Sequence, residues 1–209
     1  MNKQPATAAG FIRSSLFSIV FVTTIPIFAL LTVLCFPFPF KVRYAIASRW
    51  ALLNLWWLKH SCGLSYRVSG AEHIPRETAI IFSKHQSTWE TLALQAIFQL
   101  ITQGRQRLED GRWVVVFPEG TRITPGQKGR YRIGGAILAE QSGHPIVPVA
   151  HNAGEFWPRK GFIKRPGEIQ VVIGPAIPSQ GRAAAEILKE AETWIEDTMA
   201  QISNVPKAR

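Results

Sequence analysis

Apolar positions dominate the first forty residues of the chain. No charged residue occurs between Ser14 and Phe40, and about 20 apolar residues in a helix are enough to cross a bilayer core. A cleaved signal peptide is the competing interpretation, with Ala45-Ile46-Ala47 as its candidate cleavage site. The apolar region of a signal peptide is usually roughly 7–15 residues long, which favours a retained segment. Pro26 permits a kink, so the pattern leaves open whether the segment spans the membrane or enters and returns.

A second apolar stretch, residues 41–60, has helical spacing. Its large apolar residues recur at Ile46, Trp50, Leu53 and Trp57, and basic residues flank them: Arg43, Arg49 and Lys59. Tryptophan and basic residues beside apolar ones are typical of a helix at the membrane interface. The alternative is a helix whose apolar side packs on the core of the soluble domain.

Beyond Cys62 the pattern changes to short β-rich runs separated by helical ones. The runs are LSYRVSG, AIIFSKH, WVVVFPEG, PIVPVAHN and IQVVIGPAI. Several are apolar throughout, as expected of strands buried on both faces. Helices are predicted from Trp89 to Leu100, from Gly134 to Gln141 and from Ala183 to Ser203. This alternation predicts an α/β fold, a layered mixed sheet flanked by helices. We expect membrane-associated helices in residues 1–60 and this domain in residues 61–209.

Composition narrows the classes of partner without choosing among them. The 209 residues carry a formal net charge of +10, which suits a nucleic acid, an anionic lipid surface or a phosphorylated or CoA-like substrate. The two cysteines, Cys35 and Cys62, are too few for a disulfide scaffold and have no second thiol at metal spacing. His60 and Cys62 are interpreted as a loop after a helix rather than as metal ligands.

The segment AIIFSKHQSTWE places a histidine where a buried strand ends and a helix begins. Ser87 and Glu90 are three residues apart, which is the spacing of a helix capping box. His85 lies just before this helix, at the carboxyl end of a strand, where ligand sites of open α/β sheets gather. A histidine with a nearby carboxylate can also make a hydroxyl nucleophilic, because the carboxylate orients the imidazole and stabilises the imidazolium. Both roles remain open for Glu90.

The segment RWVVVFPEGTR carries a second candidate site. A strand leads into Pro118, Gly120 allows the backbone to turn close to a ligand, and Arg122 offers a planar fork suited to phosphate. The alternative is an ordinary turn whose arginine faces solvent.

Three segments together resemble a known family. KHQSTWE, FPEGTR and GGAILAEQSGHPIVPVAHN are similar to motifs of the glycerol-phosphate and lysophospholipid acyltransferase superfamily, and most similar to bacterial 1-acylglycerol-3-phosphate acyltransferases. The resemblance extends from about Gly63 to Ile177. It implies that the N-terminal helices associate with the bacterial inner membrane and that the active domain faces the cytoplasm.

The resemblance also implies a reaction. His85 would be the general base that deprotonates the free hydroxyl of lysophosphatidate, and Glu90 would orient it. The oxygen would attack the thioester of acyl-CoA or acyl-carrier protein, giving phosphatidate. The resemblance assigns the acceptor's phosphate site to Glu119, Gly120, Thr121 and Arg122. Val147-Pro148 matches the last family motif, which shapes the acyl or acceptor pocket. No metal or other cofactor is implied.

Two departures from the family pattern stand out. Glu90 occupies a position where aspartate is usual, and its extra methylene requires a shifted helix start or a different rotamer. The resemblance also implies a block of about 30–40 residues between the two motifs, with a strand and a phosphate-binding arginine, that this chain lacks. Its loss would remove part of the family core and leave backbone groups of the sheet unpaired. Arg105, Arg107 or Arg112 are candidates to replace the missing arginine.

An alternative function follows from this shortened core. A catalytically weak or silent protein could dock on anionic membrane lipids through tryptophan and basic side chains: Trp50, Trp56, Trp57, Lys160, Lys164 and Arg165. Nucleic-acid binding is disfavoured, because the basic residues are scattered and no recognition helix stands out.

Overall fold

The computed structural model of the protein describes residues 7–103 and 113–206. Its helices are α1 (Ala8–Leu34), α2 (Phe40–Cys62), α3 (Trp89–Gln103), α4 (Gly134–Ser142), α5 (Ala153–Phe156) and α6 (Ala184–Ile202). Its strands are β1 (Leu64–Ser69), β2 (Ile80–Ser83), β3 (Val114–Val116), β4 (Ile146–His151) and β5 (Gly167–Ile173). Arg105, Arg107 and Arg112 lie outside the described residues.

The five strands form one mixed sheet in the order β1-β5-β4-β2-β3. The pairs β1–β5, β4–β2 and β2–β3 are parallel, and β4–β5 is antiparallel. Helices cover both faces. The cluster beneath α2 and α3 includes Leu58, Trp89 and Val147, whereas the cluster beneath α4 and α6 includes Phe82 and Ile187. The predicted α/β sheet flanked by helices is confirmed.

Burial of the strands follows their place in the sheet. Every residue of the neighbouring interior strands β2 and β4 is buried, as their apolar sequences predict. The same expectation is wrong for β3, in which Val114 and Val115 are 43% and 40% exposed. Among the described residues β3 pairs with β2 alone, so it forms an edge of the sheet.

Helices α1 and α2 form an antiparallel hairpin. The indole N–H of Trp50 donates to the Thr24 hydroxyl at 3.0 Å and that of Trp57 to the Leu16 carbonyl at 3.3 Å. Both rings therefore face α1, whereas Trp56 is exposed. Helix α1 is long and apolar enough to cross a membrane by length and composition.

Lys164 attaches α1 to the domain. Its ammonium lies 5.2, 5.1 and 5.0 Å from the ring centres of Phe17, Trp157 and Phe162, and it donates to the Ser18 hydroxyl. Cations are attracted to aromatic faces at such distances. Lys164 is therefore a buried residue of the helix–domain junction rather than a surface cation.

Candidate active site

His85 and Glu90 meet at the carboxyl end of β2. His85 Nδ1 lies 2.9 Å from Glu90 Oε1. A carboxylate oxygen accepts, so this bond places the proton on Nδ1 and leaves Nε2 able to accept another. The His85 side chain is 15% exposed, whereas that of Glu90 is fully buried.

Within the described part of the chain, Glu90 accepts all of its side-chain hydrogen bonds through one carboxylate oxygen, Oε1. Besides the imidazole, Oε1 accepts the N–H groups of Gln86 at 2.8 Å and Ser87 at 2.7 Å, while Oε2 is buried without a partner in the described part of the chain. Trp89 N–H donates to the Ser87 hydroxyl. Glu90 thus closes the predicted cap of α3 and holds His85 with the same atom.

The charge of Glu90 is stabilised by these bonds. Burial alone would raise the pKa of its carboxyl, but the hydrogen bond from His85 and the Ser87 N–H outweigh it, and the pKa is lowered. An ionised Glu90 is placed to stabilise an imidazolium that forms when a histidine accepts a proton during a reaction.

The FPEGTR loop is attached directly to His85. The His85 N–H donates to Glu119 Oε2 at 3.0 Å, and the His85 carbonyl accepts the Ile123 N–H at 2.8 Å. The Phe117 ring stacks on the imidazole with ring centres 4.2 Å apart. The two predicted motifs therefore form one site.

Glu119 is the buried member of the loop. It is 3% exposed, and its Oε1 lies 2.6 Å from Lys84 Nζ. The same ammonium lies 2.7 Å from Glu196 Oε1 on α6. The Glu119 carboxylate is therefore fully engaged within the protein.

The rest of the loop is cationic and accessible. Gly120 and Thr121 are exposed, Gly120 has a φ of +65°, and a Cβ there would come 2.9 Å from Arg132 Nε. Arg159 donates to the Arg122 carbonyl at 3.1 Å, and Arg122 Nε is buried without a partner among the described residues. Within that part of the chain, no carboxylate forms a salt bridge with these arginines.

His151 binds the backbone next to His85. It is completely buried, and its Nε2 lies 2.7 Å from the carbonyl of Lys84, the residue before His85. Burial lowers its pKa, although the negative charge of Glu90 acts in the opposite direction.

The structure brings all six predicted site residues together, but the sequence alone missed several others. Phe117 and His151 contact the His85 segment, Lys84 binds Glu119, and Arg132 and Arg159 contact the loop. The basic runs KGRYR and WPRKG were the available signal for the two arginines. Val147, by contrast, is a core residue of β4.

The chain is related to known acyltransferases. It is 39% identical over 210 residues to the 1-acyl-sn-glycerol-3-phosphate acyltransferase of Pseudomonas aeruginosa, an alignment that takes in 80% of this chain and 82% of that protein. The chain belongs to the 1-acyl-sn-glycerol-3-phosphate acyltransferase family. A sequence profile described as "Acyltransferase" matches residues 99–152. The human beta enzyme of this family is 30% identical over 108 residues, which are 50% of this chain and 39% of that protein.

The fold is also that of an acyltransferase of this family. The crystal structure of the 1-acyl-sn-glycerophosphate (LPA) acyltransferase PlsC from Thermotoga maritima superposes with a TM-score of 0.69 at 15% identity. The superposition covers 95% of this chain and 97% of that one.

Proposed function

We propose that this protein transfers an acyl group from acyl-CoA or acyl-carrier protein to the free hydroxyl of lysophosphatidate, forming phosphatidate. The observation that carries the proposal is the His85–Glu90 pair, 2.9 Å apart, attached to the FPEGTR loop. Relatives named for this reaction support the acceptor. Both donors are thioesters with anionic carriers, and the cationic loop suits either.

His85 acts as the general base in this reaction. Nε2 takes the proton of the acceptor hydroxyl as the oxygen attacks the thioester carbonyl, and Glu90 stabilises the imidazolium that forms. The new ester C–O bond replaces the C–S bond, and the imidazolium returns its proton to the leaving thiolate. Each atom and proton is accounted for by the two substrates and His85.

The acceptor's phosphate binds at Gly120, Thr121 and Arg122. Gly120 turns in the left-handed region and lets the backbone approach the ligand. Arg122 has a buried Nε without a partner in the described chain, and guanidinium groups bind phosphate through paired hydrogen bonds. Arg132 and Arg159 add positive charge beside it.

The site works at a membrane surface. Exposed apolar side chains continue along α1 into the connection to α2, where Val33, Phe36 and Phe38 are 68%, 74% and 56% exposed. Lysophosphatidate is a membrane lipid, so an embedded hairpin brings the acceptor to the domain. The resemblance to bacterial enzymes supports the cytoplasmic side of the inner membrane.

The test is acyl transfer by the purified full-length protein in phospholipid vesicles that contain lysophosphatidate. Radiolabelled acyl-CoA and acyl-carrier protein are supplied separately, which identifies the donor. We expect labelled phosphatidate from the wild type, none above background from His85→Ala, and wild-type rates from His144→Ala, an exposed histidine elsewhere. Equal rates for the wild type and His85→Ala contradict the proposal. Salt-sensitive vesicle binding with no transfer is instead the result expected of a silent lipid-binding protein.

A further inference from the structure

A buried cluster of charged and polar side chains lies under the site, on the side of the sheet covered by α6. It consists of Lys84, Glu119, Glu196 and Tyr131, and we call it the lysine cluster. We infer that the lysine cluster positions His85: Lys84, which also binds Glu196, holds the Glu119 carboxylate against the His85 backbone amide. The inference rests on the proposed function for its kinetic part and on the geometry alone for the rest.

The contacts form one continuous chain from α6 to the catalytic strand end. The Tyr131 hydroxyl donates to Glu196 Oε1 at 3.0 Å. Lys84 Nζ lies 2.7 Å from the same Glu196 oxygen and 2.6 Å from Glu119 Oε1. The other oxygen of Glu119 accepts the His85 N–H at 3.0 Å. Glu119 therefore links the Lys84 ammonium to the backbone N–H of His85, the next residue along the chain.

Lys84 is the cation that makes this arrangement stable. Its side chain and that of Glu119 are 1% and 0% exposed, and that of Glu196 is 13% exposed. The two carboxylates bind the same ammonium, at 2.6 and 2.7 Å, and like charges so placed repel strongly away from water. Without the ammonium, an uncompensated buried charge would remain.

Tyr131 supplies a neutral donor to the same cluster. Burial, together with the negative charges of Glu196 and Glu119, raises the pKa of its phenol well above the ordinary value. Tyr131 therefore stays protonated and donates to Glu196. The cluster keeps one excess negative charge, next to the strand end that carries His85.

This geometry changes the role expected of Glu119. The family resemblance assigns it to the phosphate site together with Gly120, Thr121 and Arg122. A buried carboxylate would repel a phosphate, and both of its oxygens already have partners inside the protein. We therefore assign Glu119 to positioning His85 and leave the phosphate to the other three residues.

The experiment is a double-mutant cycle of Lys84→Met and Glu196→Gln in the full-length protein. Lys84→Met leaves two carboxylates facing each other, so Glu119 should leave the His85 amide and kcat should fall at least about tenfold. The KM for lysophosphatidate should change less than about twofold, because the phosphate site is intact. Removing the Glu196 charge should recover part of this loss, so the double variant should exceed Lys84→Met in kcat.

A second readout does not depend on activity. Hydrogen exchange measured on a peptide containing the His85 amide should be faster in Lys84→Met than in the wild type, and slower again in the double variant. If the wild type shows no transfer, the proposed function fails, while the exchange data still decide the positioning role. Lys84→Gln, which keeps a donor, replaces Lys84→Met if that variant does not fold.

The matched control is the surface pair Lys128–Glu192, which is also formed with α6 and has an N–O distance of 2.6 Å. Lys128→Met and Glu192→Gln should change neither kcat nor exchange at His85. The inference is overturned if the losses of Lys84→Met and Glu196→Gln multiply instead of compensating. It is also overturned if KM rises in place of the fall in kcat, or if His85 exchange is unchanged in Lys84→Met.

Discussion

At the residue scale, one oxygen of Glu90 serves two structural tasks, capping α3 and holding the His85 ring. Its Oε1 accepts the His85 imidazole and two backbone N–H groups at the start of α3. The sequence left capping and catalysis as alternatives for this residue. The structure accommodates both, because the end of β2 and the first turn of α3 converge on a single oxygen.

We expect Glu90→Gln to separate these two tasks. The amide oxygen can still accept the backbone N–H groups, so the fold should survive, but a neutral side chain cannot stabilise the imidazolium. Transfer should fall by roughly 10²–10⁴-fold, the range for loss of acid–base assistance. Steady-state kinetics and thermal unfolding measure the two effects separately. Glu186→Gln is the control, since Glu186, like Glu90, is the acidic residue in the first turn of a helix. A loss of activity that merely follows a loss of folded protein would assign Glu90 to capping alone.

His151 predicts how stability depends on pH. Its pKa in the folded protein lies below the ordinary value of 6.5, so between these two values the unfolded chain binds more protons. Above about pH 6.5, His151 should not lower the free energy of unfolding. As the pH falls below about 6.5, the free energy of unfolding should decrease, because the unfolded chain takes up the proton more readily. His151→Gln, which can still donate to the Lys84 carbonyl, should remove this part of the decrease. Unfolding by denaturant between pH 5 and pH 8 measures it, with His144→Gln as the control. Parallel curves for the wild type and His151→Gln would contradict the assignment.

At the scale of elements, the periodicity of apolar residues predicts where helices and strands lie, but not which of them are buried by other parts of the fold. Helix α6 was predicted from Ala183 to Ser203 and runs from Ala184 to Ile202. The apolar run of β3 nevertheless lies at a sheet edge, because strand order depends on pairing between distant segments. Lys164 was predicted at a lipid surface, yet it is buried among aromatic rings from α1 and two loop positions. Such contacts join residues nearly 150 positions apart, and no local pattern records them.

The hairpin of α1 and α2 carries a prediction of its own. Because α2 packs antiparallel to α1, a crossing by α1 would also carry the exposed Arg49 of α2 into the bilayer core. A charge at the centre of a bilayer costs roughly 2.5–3.5 kcal/mol or more. The connection between the helices, around Phe36 and Phe38, is uncharged and exposed. We therefore expect the hairpin to enter one leaflet without crossing to the other side.

Cys35 provides a native probe for this expectation. It lies at the end of α1 in the connection, whereas Cys62 is buried at the end of α2. In sealed vesicles, a membrane-impermeant maleimide should fail to label Cys35 from either side, and detergent should make it reactive. A Cys62→Ser variant restricts the reaction to Cys35, and Ser142→Cys on the domain surface is the positive control. Labelling of Cys35 from the side opposite to the domain would show that the hairpin spans the membrane.

At the scale of the whole molecule, the open edge of the sheet bears on the block that the family resemblance expects between the two motifs. The predicted absence of this block stays a prediction. Two observations support it. The alignment with the Pseudomonas aeruginosa enzyme extends over 210 residues but takes in only 80% of this chain, so part of that enzyme has no counterpart here. In addition, Val114 and Val115 at the β3 edge are two-fifths exposed. An apolar edge strand is usually paired or covered.

Restoring the block should therefore stabilise the molecule and raise its activity. We would insert, after Gln103, the residues of the Pseudomonas aeruginosa enzyme that its alignment leaves without a counterpart in this chain. A strand paired with β3 would complete the burial of Val114 and Val115, contributing on the order of 1 kcal/mol each. Thermal unfolding, acyl transfer and complementation of a conditional acyltransferase-deficient bacterium measure the result. A glycine–serine insertion of equal length is the control, because it lengthens the loop without adding a strand. If both insertions lower stability and acyl transfer alike, the sheet needs no further strand beside β3, and the protein is active with the shorter connection.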